Sequence, residues 1–198
     1  MRTHFDPALM DHDRVYQLLT SSVVPRPIAW VSTRSAGGVD NLAPYSFFTI
    51  ASVDPPVVQF TSVGRKDTLT NIEETGEFVV NLTSEPLLDQ VNGSSAAFGP
   101  SVSEFDAMSV VSAPSVRVQP LRAKAAPMSF ECVLERVISV GDSHLVLGRV
   151  VFMTANSSLL DEDGLPATKA LAPLSRFGRT EWGVTPLTRQ VARPVVPE

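Results

Sequence analysis

Cysteine is almost missing from this 198-residue chain: Cys132 stands alone, so no intrachain disulfide can form. A lone cysteine suits a reducing compartment. Also missing is any apolar run near the roughly 20 residues that a membrane-spanning helix needs, so no membrane partner is expected. The opening MRTHFDPALMDHD lacks the apolar segment of a secretory signal, and a cytoplasmic location is predicted. Basic residues are few. The 16 Lys and Arg against 21 Asp and Glu leave a formal charge of −5, so no nucleic-acid partner is expected either. The three histidines, His4, His12 and His144, are scattered, and they predict no metal site. There is no G-x-G-x-x-G, no Walker loop and no G-x-S-x-G elbow. Neither a Rossmann dinucleotide site nor a P-loop is therefore signalled.

What is present is a globular composition, 43% hydrophobic, punctuated by 16 prolines that favour turns over long helices. Val15, Leu18 and Leu19 sit at helical spacing behind Asp11 or Asp13 as a cap. Strand formers fill Ile28 to Thr33, and Ser35-Ala36-Gly37-Gly38 turns the chain into a hairpin. Tyr45 to Ile50 and Val57 to Thr61 read as two further strands, parted by Asp54-Pro55-Pro56. A helix is predicted over Thr68 to Thr75, with Asp67 as N-cap and Gly76 as its stop, and Phe78 to Leu82 returns to strand. Ser84 to Val91 reads as a short helix, and Asn92 to Ser103 as a loop. Phe130 to Val137 and His144 to Met153 pair about the turn Ser139 to Ser143. Six or more strands without βαβα alternation predict an antiparallel barrel or sandwich. One domain is expected, with its core at about 12–187 and an extended tail at 188–198.

Two stretches carry chemistry. In Val63-Gly64-Arg65-Lys66-Asp67-Thr68 a strand turns at once into a helix, offering free amides and the positive end of the helix dipole to an anion. Lys66, and with it Arg65, would add charge, and Thr68 a hydroxyl. Asp67 would cap the helix, since its carboxylate would repel a phosphate. A solvated turn with a capping aspartate explains the same residues. The second stretch, Asn41-Leu42-Ala43-Pro44-Tyr45-Ser46-Phe47-Phe48-Thr49, sets rings beside small hydroxyls, as a flat heterocycle requires; core aromatics of a barrel strand would read alike.

These stretches occur in order with others. Val24-Pro25-Arg26-Pro27-Ile28-Ala29-Trp30-Val31-Ser32-Thr33 comes first, then Asn41 to Phe48, then Lys66-Asp67-Thr68-Leu69 with Asn71-Ile72, then Phe78-Val79-Val80-Asn81. The succession resembles the flavin reductase-like family of FMN-binding split barrels, in the flavoredoxin branch that includes proteins similar to the reductase component of nitrilotriacetate monooxygenase. The resemblance is dense over 12–84 and thinner to 187. It implies a mostly β fold, a six-stranded antiparallel split barrel with short flanking helices, assembled as a homodimer with FMN at the subunit interface. Tyr45, Ser46 and Phe47 would lie along the isoalloxazine, with Thr61 and Ser62 on the adjoining strand. Lys66, Asp67 and Thr68, with Thr33, would hold the phosphate, Asp67 through its amide. Near the end, Arg179 replaces the second glycine of a family Gly-Gly pair and Trp182 replaces a tyrosine. Trp182 is thus either a flavin contact or a buried interface aromatic.

The activity implied is NAD(P)H-dependent flavin reduction, with the electrons passed to a partner oxygenase or another acceptor. Such hydride transfer needs orientation of two rings and no acid–base group, so no catalytic residue is named. A flavoredoxin-like electron carrier without a nicotinamide site is the alternative. A barrel that has lost its flavin and serves as an interaction module is a third reading, and the intact Lys66-Asp67-Thr68 turn speaks against it.

Overall fold

The computed structural model describes residues 1–194, so the last four residues of the expected tail lie outside the described residues. Behind a 3-10 turn at Pro7–Leu9, helix α1 (His12–Ser22) is capped by Asp11, whose carboxylate accepts from the Arg14 amide at 2.8 Å. Strands β1 (Arg26–Pro27), β2 (Ala29–Arg34), β3 (Asp40–Tyr45), β4 (Phe48–Ser52) and β5 (Val57–Val63) follow. Helix α2 (Asp67–Thr75) leads into β6 (Glu77–Leu82). A 3-10 turn at Glu85–Leu87, helices α3 (Leu88–Gly93) and α4 (Glu104–Ala107), and the pair β7 (Ser112–Ala113) and β8 (Arg122–Ala123) come next. The long strands β9 (Met128–Val140) and β10 (Ser143–Ala155) form a hairpin about Gly141-Asp142. A 3-10 turn at Ser157–Leu159, helix α5 (Thr168–Leu171), β11 (Ser175–Arg176) and β12 (Trp182–Gly183) complete the order. No helix among the described residues is long and apolar enough to cross a membrane.

The main sheet is antiparallel throughout, in the order β3-β2-β6-β9-β10-β5-β4. Its two edges, β3 and β4, are consecutive in sequence and parted only by Ser46 and Phe47. A bond of 2.9 Å from the Thr61 amide to the Phe47 carbonyl pins this junction to β5. The sheet thereby curls into a split barrel, closed at the junction. Tyr45 to Ile50, expected as one strand, is bent here, so the expected six strands are seen as seven segments. A separate three-stranded ribbon, β1-β11-β12, lies beside the junction.

Strand β2 lacks polar alternation because both of its faces are covered. Ala29 and Val31 point into the barrel core with Phe60, Phe78, Val80 and Val146. Ile28 and Trp30 point outward into a second cluster with Leu42, Leu87, Val91 and Phe105. Trp30 donates its indole N–H to Ser94 Oγ at 2.8 Å, so the ring is buried without an orphaned donor. Asn81 satisfies the outer layer's polar groups. Its amide donates to the Trp30 carbonyl and to Ser32 Oγ, and its oxygen accepts from the Ala123 amide and Ser129 Oγ.

Helix α2 plugs one end of the barrel with Leu69 and Ile72, both fully buried. Gly76, at φ 74°, ends it in the left-handed conformation that glycine adopts without strain. Within the barrel, close packing reaches Gly148, where an added Cβ would stand 2.1 Å from Phe78 Cζ. Phe78 is fully buried and edge-on to Phe60, with ring centres 5.7 Å apart. Gly148→Ala should therefore lower stability by about 1–3 kcal/mol through overpacking. Urea unfolding should show a lower midpoint at unchanged slope; an unmoved midpoint would mean that the Phe78 ring yields freely.

Candidate functional site

Three contiguous clefts form a groove along the junction of β3, β4, β5 and α2. The middle one, about 440 Å³, is flanked by Tyr45, Ser46, Phe47, Thr61 and Lys66 and walled by His12 and Tyr16 of α1. Through Tyr45 and Lys66 it meets a cleft of about 300 Å³ that runs between the start of α2 and residues 94–98. Through Ser46, Phe47 and Thr61 it meets an apolar cleft of about 520 Å³ bounded by Leu19, Val23, Phe48 and Leu145.

The start of α2 is the polar end. Lys66, not Asp67, is the N-cap residue, and no side chain among the described residues caps this helix. Asp67 is its first residue, exposed, and its carboxylate caps nothing, which corrects the expectation of an aspartate N-cap. The first amide bonded back along α2 is that of Thr70, to the Lys66 carbonyl at 3.1 Å. The amides of Asp67, Thr68 and Leu69 have no acceptor among the described residues, as the first turn of an uncapped helix requires. Lys66 places its ammonium 5.8 Å from the centre of the Tyr45 ring and forms no ion pair with a described residue. Arg65 turns away and pairs with Glu73 along the outer face of α2. Of the two cations in the turn, Lys66 is thus the one that lines the groove.

Behind this end lies a buried polar relay. Thr68 Oγ1 donates to Asn41 Oδ1 at 2.7 Å, and Thr33 Oγ1 donates to the same oxygen at 3.3 Å. Asn71 donates to Thr33 Oγ1 at 3.0 Å. Asn41 in turn donates to one oxygen of Glu104 at 2.9 Å, and the Leu42 amide donates to the other at 2.8 Å. All five side chains belong to buried residues. Burial holds the Glu104 carboxyl above the usual carboxylate range, against the lowering effect of the Leu42 amide. The hydroxyls of Thr33 and Thr68 therefore face the protein interior, and Thr68 offers the groove its backbone amide.

Tyr45 is also turned inward. Its ring packs on Phe60 at 4.7 Å between centres, and its hydroxyl is buried without a well-formed hydrogen bond, with Thr68 and Ser62 the nearest polar neighbours. Burial raises its pKa. Ser62 is buried and donates to the Gly64 carbonyl at 2.9 Å, bracing the turn before α2. Ser46, Phe47 and Thr61 are partly exposed and face the middle cleft. Trp182 flanks none of the three clefts. It packs against the outer cluster with Arg176 stacked 4.8 Å from its ring centre. Arg179, in place of a family glycine, has φ 56°.

Sequence reasoning passed over Arg26. Its guanidinium donates to the Thr20, Val23 and Phe177 carbonyls and reaches Ser46 Oγ at 3.5 Å. It ties α1, the ribbon and the Ser46–Phe47 junction together, and burial lowers its pKa. An arginine between two prolines was the available signal. Glu104 gave none, because its partners lie 62 and 63 residues away in sequence.

The relay makes a stability prediction. Thr68→Val keeps the shape but removes the donor to Asn41, leaving a buried acceptor underbonded. A loss of about 1–3 kcal/mol is expected. Chemical denaturation checks this, and unchanged stability would mean that the bond contributes nothing.

Comparison with known proteins agrees with this architecture. Residues 20–175 match the family model described as a flavin reductase like domain. An uncharacterised protein of Deinococcus radiodurans is 41% identical over 187 residues, covering 89% of this chain and 82% of its own. The crystal structure of nitrilotriacetate monooxygenase component B from Bacillus cereus is 31% identical, with a TM-score of 0.92 over 96% of this chain and 99% of that one. The 2-nitrobenzoate 2-nitroreductase of Pseudomonas fluorescens is also 31% identical, with a TM-score of 0.91 over 99% of both chains. An antiparallel split barrel, a groove at its junction and a match over most of its length lead to one conclusion: the chain belongs to the flavin reductase-like family.

Proposed function

We propose that the groove binds FMN and that the chain is an NAD(P)H-dependent flavin reductase whose electrons pass to a partner oxygenase. The observation that carries this reading is the pairing of unbonded α2 amides and Lys66 with a ring-sized cleft beside them. The donor set fits a phosphate: neutral amides at the positive end of a helix and one ammonium. Lys66 and the amides of Asp67 and Thr68 would hold the phosphate. Ser46, Phe47 and Thr61 would flank the isoalloxazine. Thr33, Tyr45, Ser62 and the Thr68 hydroxyl support these groups from behind, and Trp182 steadies the ribbon. FMN, when bound, would supply the redox chemistry that links a nicotinamide donor to the acceptor.

The protein's own part is positional. Arg26 fixes the Ser46–Phe47 junction, and α1 walls the cleft. Tyr16, Leu19 and Val23 of the α1 region are 49%, 59% and 64% exposed. We take this apolar strip, next to the groove, as the face that a second copy covers in a homodimer. A reducing cytoplasm is the compartment that fits the lone, buried Cys132.

A second reading, reduction of a small organic acceptor at the flavin, is favoured by the apolar cleft beside Phe47 and Phe48. The name of the nitroreductase relative points the same way.

Purified protein should take up FMN and accelerate its reduction by NADH or NADPH, followed by loss of flavin absorbance. A rate no faster than background with either donor would remove the reductase reading. Lys66→Ala should weaken FMN by about 1.5–3 kcal/mol, roughly 10- to 100-fold, and leave riboflavin nearly unaffected. Equal loss for both ligands would place the phosphate elsewhere.

A further inference from the structure

The buried carboxylate of Glu104 stands behind the polar end of the groove, with no cation paired to it among the described residues. We propose that Glu104 sets the hydrogen-bond direction of the Asn41–Thr68 relay and makes phosphate capture at α2 proton-linked, the anion drawing a proton onto Glu104. The inference rests on the flavin-phosphate reading above and deepens it.

The geometry supplies the reason. Glu104 is 6% exposed, and its oxygens accept from Leu42 N at 2.8 Å and Asn41 Nδ2 at 2.9 Å. An ionised carboxylate can only accept. Asn41 must then turn its NH₂ to Glu104 and its oxygen to Thr68 and Thr33, which commits the Thr68 proton to the interior. A protonated Glu104 keeps one oxygen for the Leu42 amide and donates from the other to Asn41 Oδ1. The Asn41 amide then turns over and gives its NH₂ to Thr68 Oγ1. That frees the Thr68 proton, and the unpartnered Tyr45 hydroxyl is a neighbouring acceptor.

Charge favours the protonated form once an anion is present. Burial already disfavours the ionised acid, and the Asp67 carboxylate disfavours it further. Of the elements packed around Glu104, α2 brings Lys66 and Asp67. Strand β3 brings Tyr45 and Asp40, the latter paired with Arg34 of β2 at 3.5 Å. Helix α4 itself brings Asp106, and residues 94–98 bring no charge. Among the described residues, Lys66 is thus the one cation lining the polar cleft, set against the Asp67 and Glu104 carboxylates. A phosphate added there raises the proton affinity of Glu104.

Calorimetric titration of the full chain with FMN and with riboflavin tests this. It would be run from acid to mildly alkaline pH, in two buffers of different protonation heat, on wild type and Glu104→Gln. The glutamine reproduces the protonated acid. At alkaline pH a free phosphate monoester is doubly ionised, so ligand protonation does not obscure the count. Between the pKa of Glu104 in the free protein and its raised pKa in the complex, wild type should take up protons with FMN and not with riboflavin. Relative to riboflavin, Glu104→Gln should bind FMN about tenfold more tightly than wild type, and the two should converge at acid pH. An equal FMN-to-riboflavin ratio in both proteins at every pH, with no proton uptake by wild type, would overturn the proposal. Should Glu104→Gln not fold, the wild-type proton count decides alone. If neither flavin binds, the flavin reading itself fails and this inference falls with it.

Discussion

Burial of Leu69 and Ile72 in the end of the barrel fixes where helix α2 begins, and the groove depends on that position. The two side chains lie one helical turn apart and face the core together, so α2 cannot slide or rotate without exposing one of them. Its N-terminus then opens beside the junction of the two edge strands, while Gly76 ends the helix and returns the chain to β6. One hydrophobic contact thereby places an uncapped helix start, with its amides and Lys66, next to Ser46, Phe47 and Thr61.

A polar constraint reinforces the apolar one. Thr68 and Asn71 of α2 are tied to Thr33 of β2 and Asn41 of β3, and Asn41 to Glu104 of α4. A buried network of this kind is rigid only because each member has a partner, since any orphan would cost about 1–3 kcal/mol. The groups left exposed, Lys66 and Asp67, are those on the groove side. Rigidity lies behind the site and free hydrogen-bonding capacity lies in front of it. The ribbon contributes at the opposite end, where Arg26 holds α1 and the Ser46–Phe47 junction in fixed relation.

Local signals in the sequence were legible where local physics decides. Gly76 as a helix stop, the Ser35 to Gly38 hairpin and the β9–β10 turn follow from backbone preferences of the residues themselves. The break at Ser46–Phe47 was not legible, because Tyr45, Phe47 and Phe48 carry the same strand preference as a continuous strand. It is imposed by closure of the barrel on β5. Asp67 is a good capping residue in isolation, yet the helix starts one residue earlier than a capping aspartate would set it. Arg65 and Lys66 are neighbours of equal charge, and only the fold separates them: one pairs with Glu73 and one faces the groove. Glu104 reads as an ordinary loop or helix acid until its contact with Leu42 is known. Trp182 was ambiguous between flavin contact and buried interface aromatic; it is partly buried against the outer cluster, and that packing is compatible with either role.

The central claim is that the amides at the start of α2 receive the phosphate of the flavin. Amide proton and nitrogen shifts recorded during titration with FMN and with riboflavin test it most directly. FMN should move the signals of Asp67, Thr68 and Leu69 to saturation, while riboflavin moves those of Ser46, Phe47 and Thr61 and leaves the α2 amides in place. Saturating FMN with the three α2 amides unmoved would contradict the account.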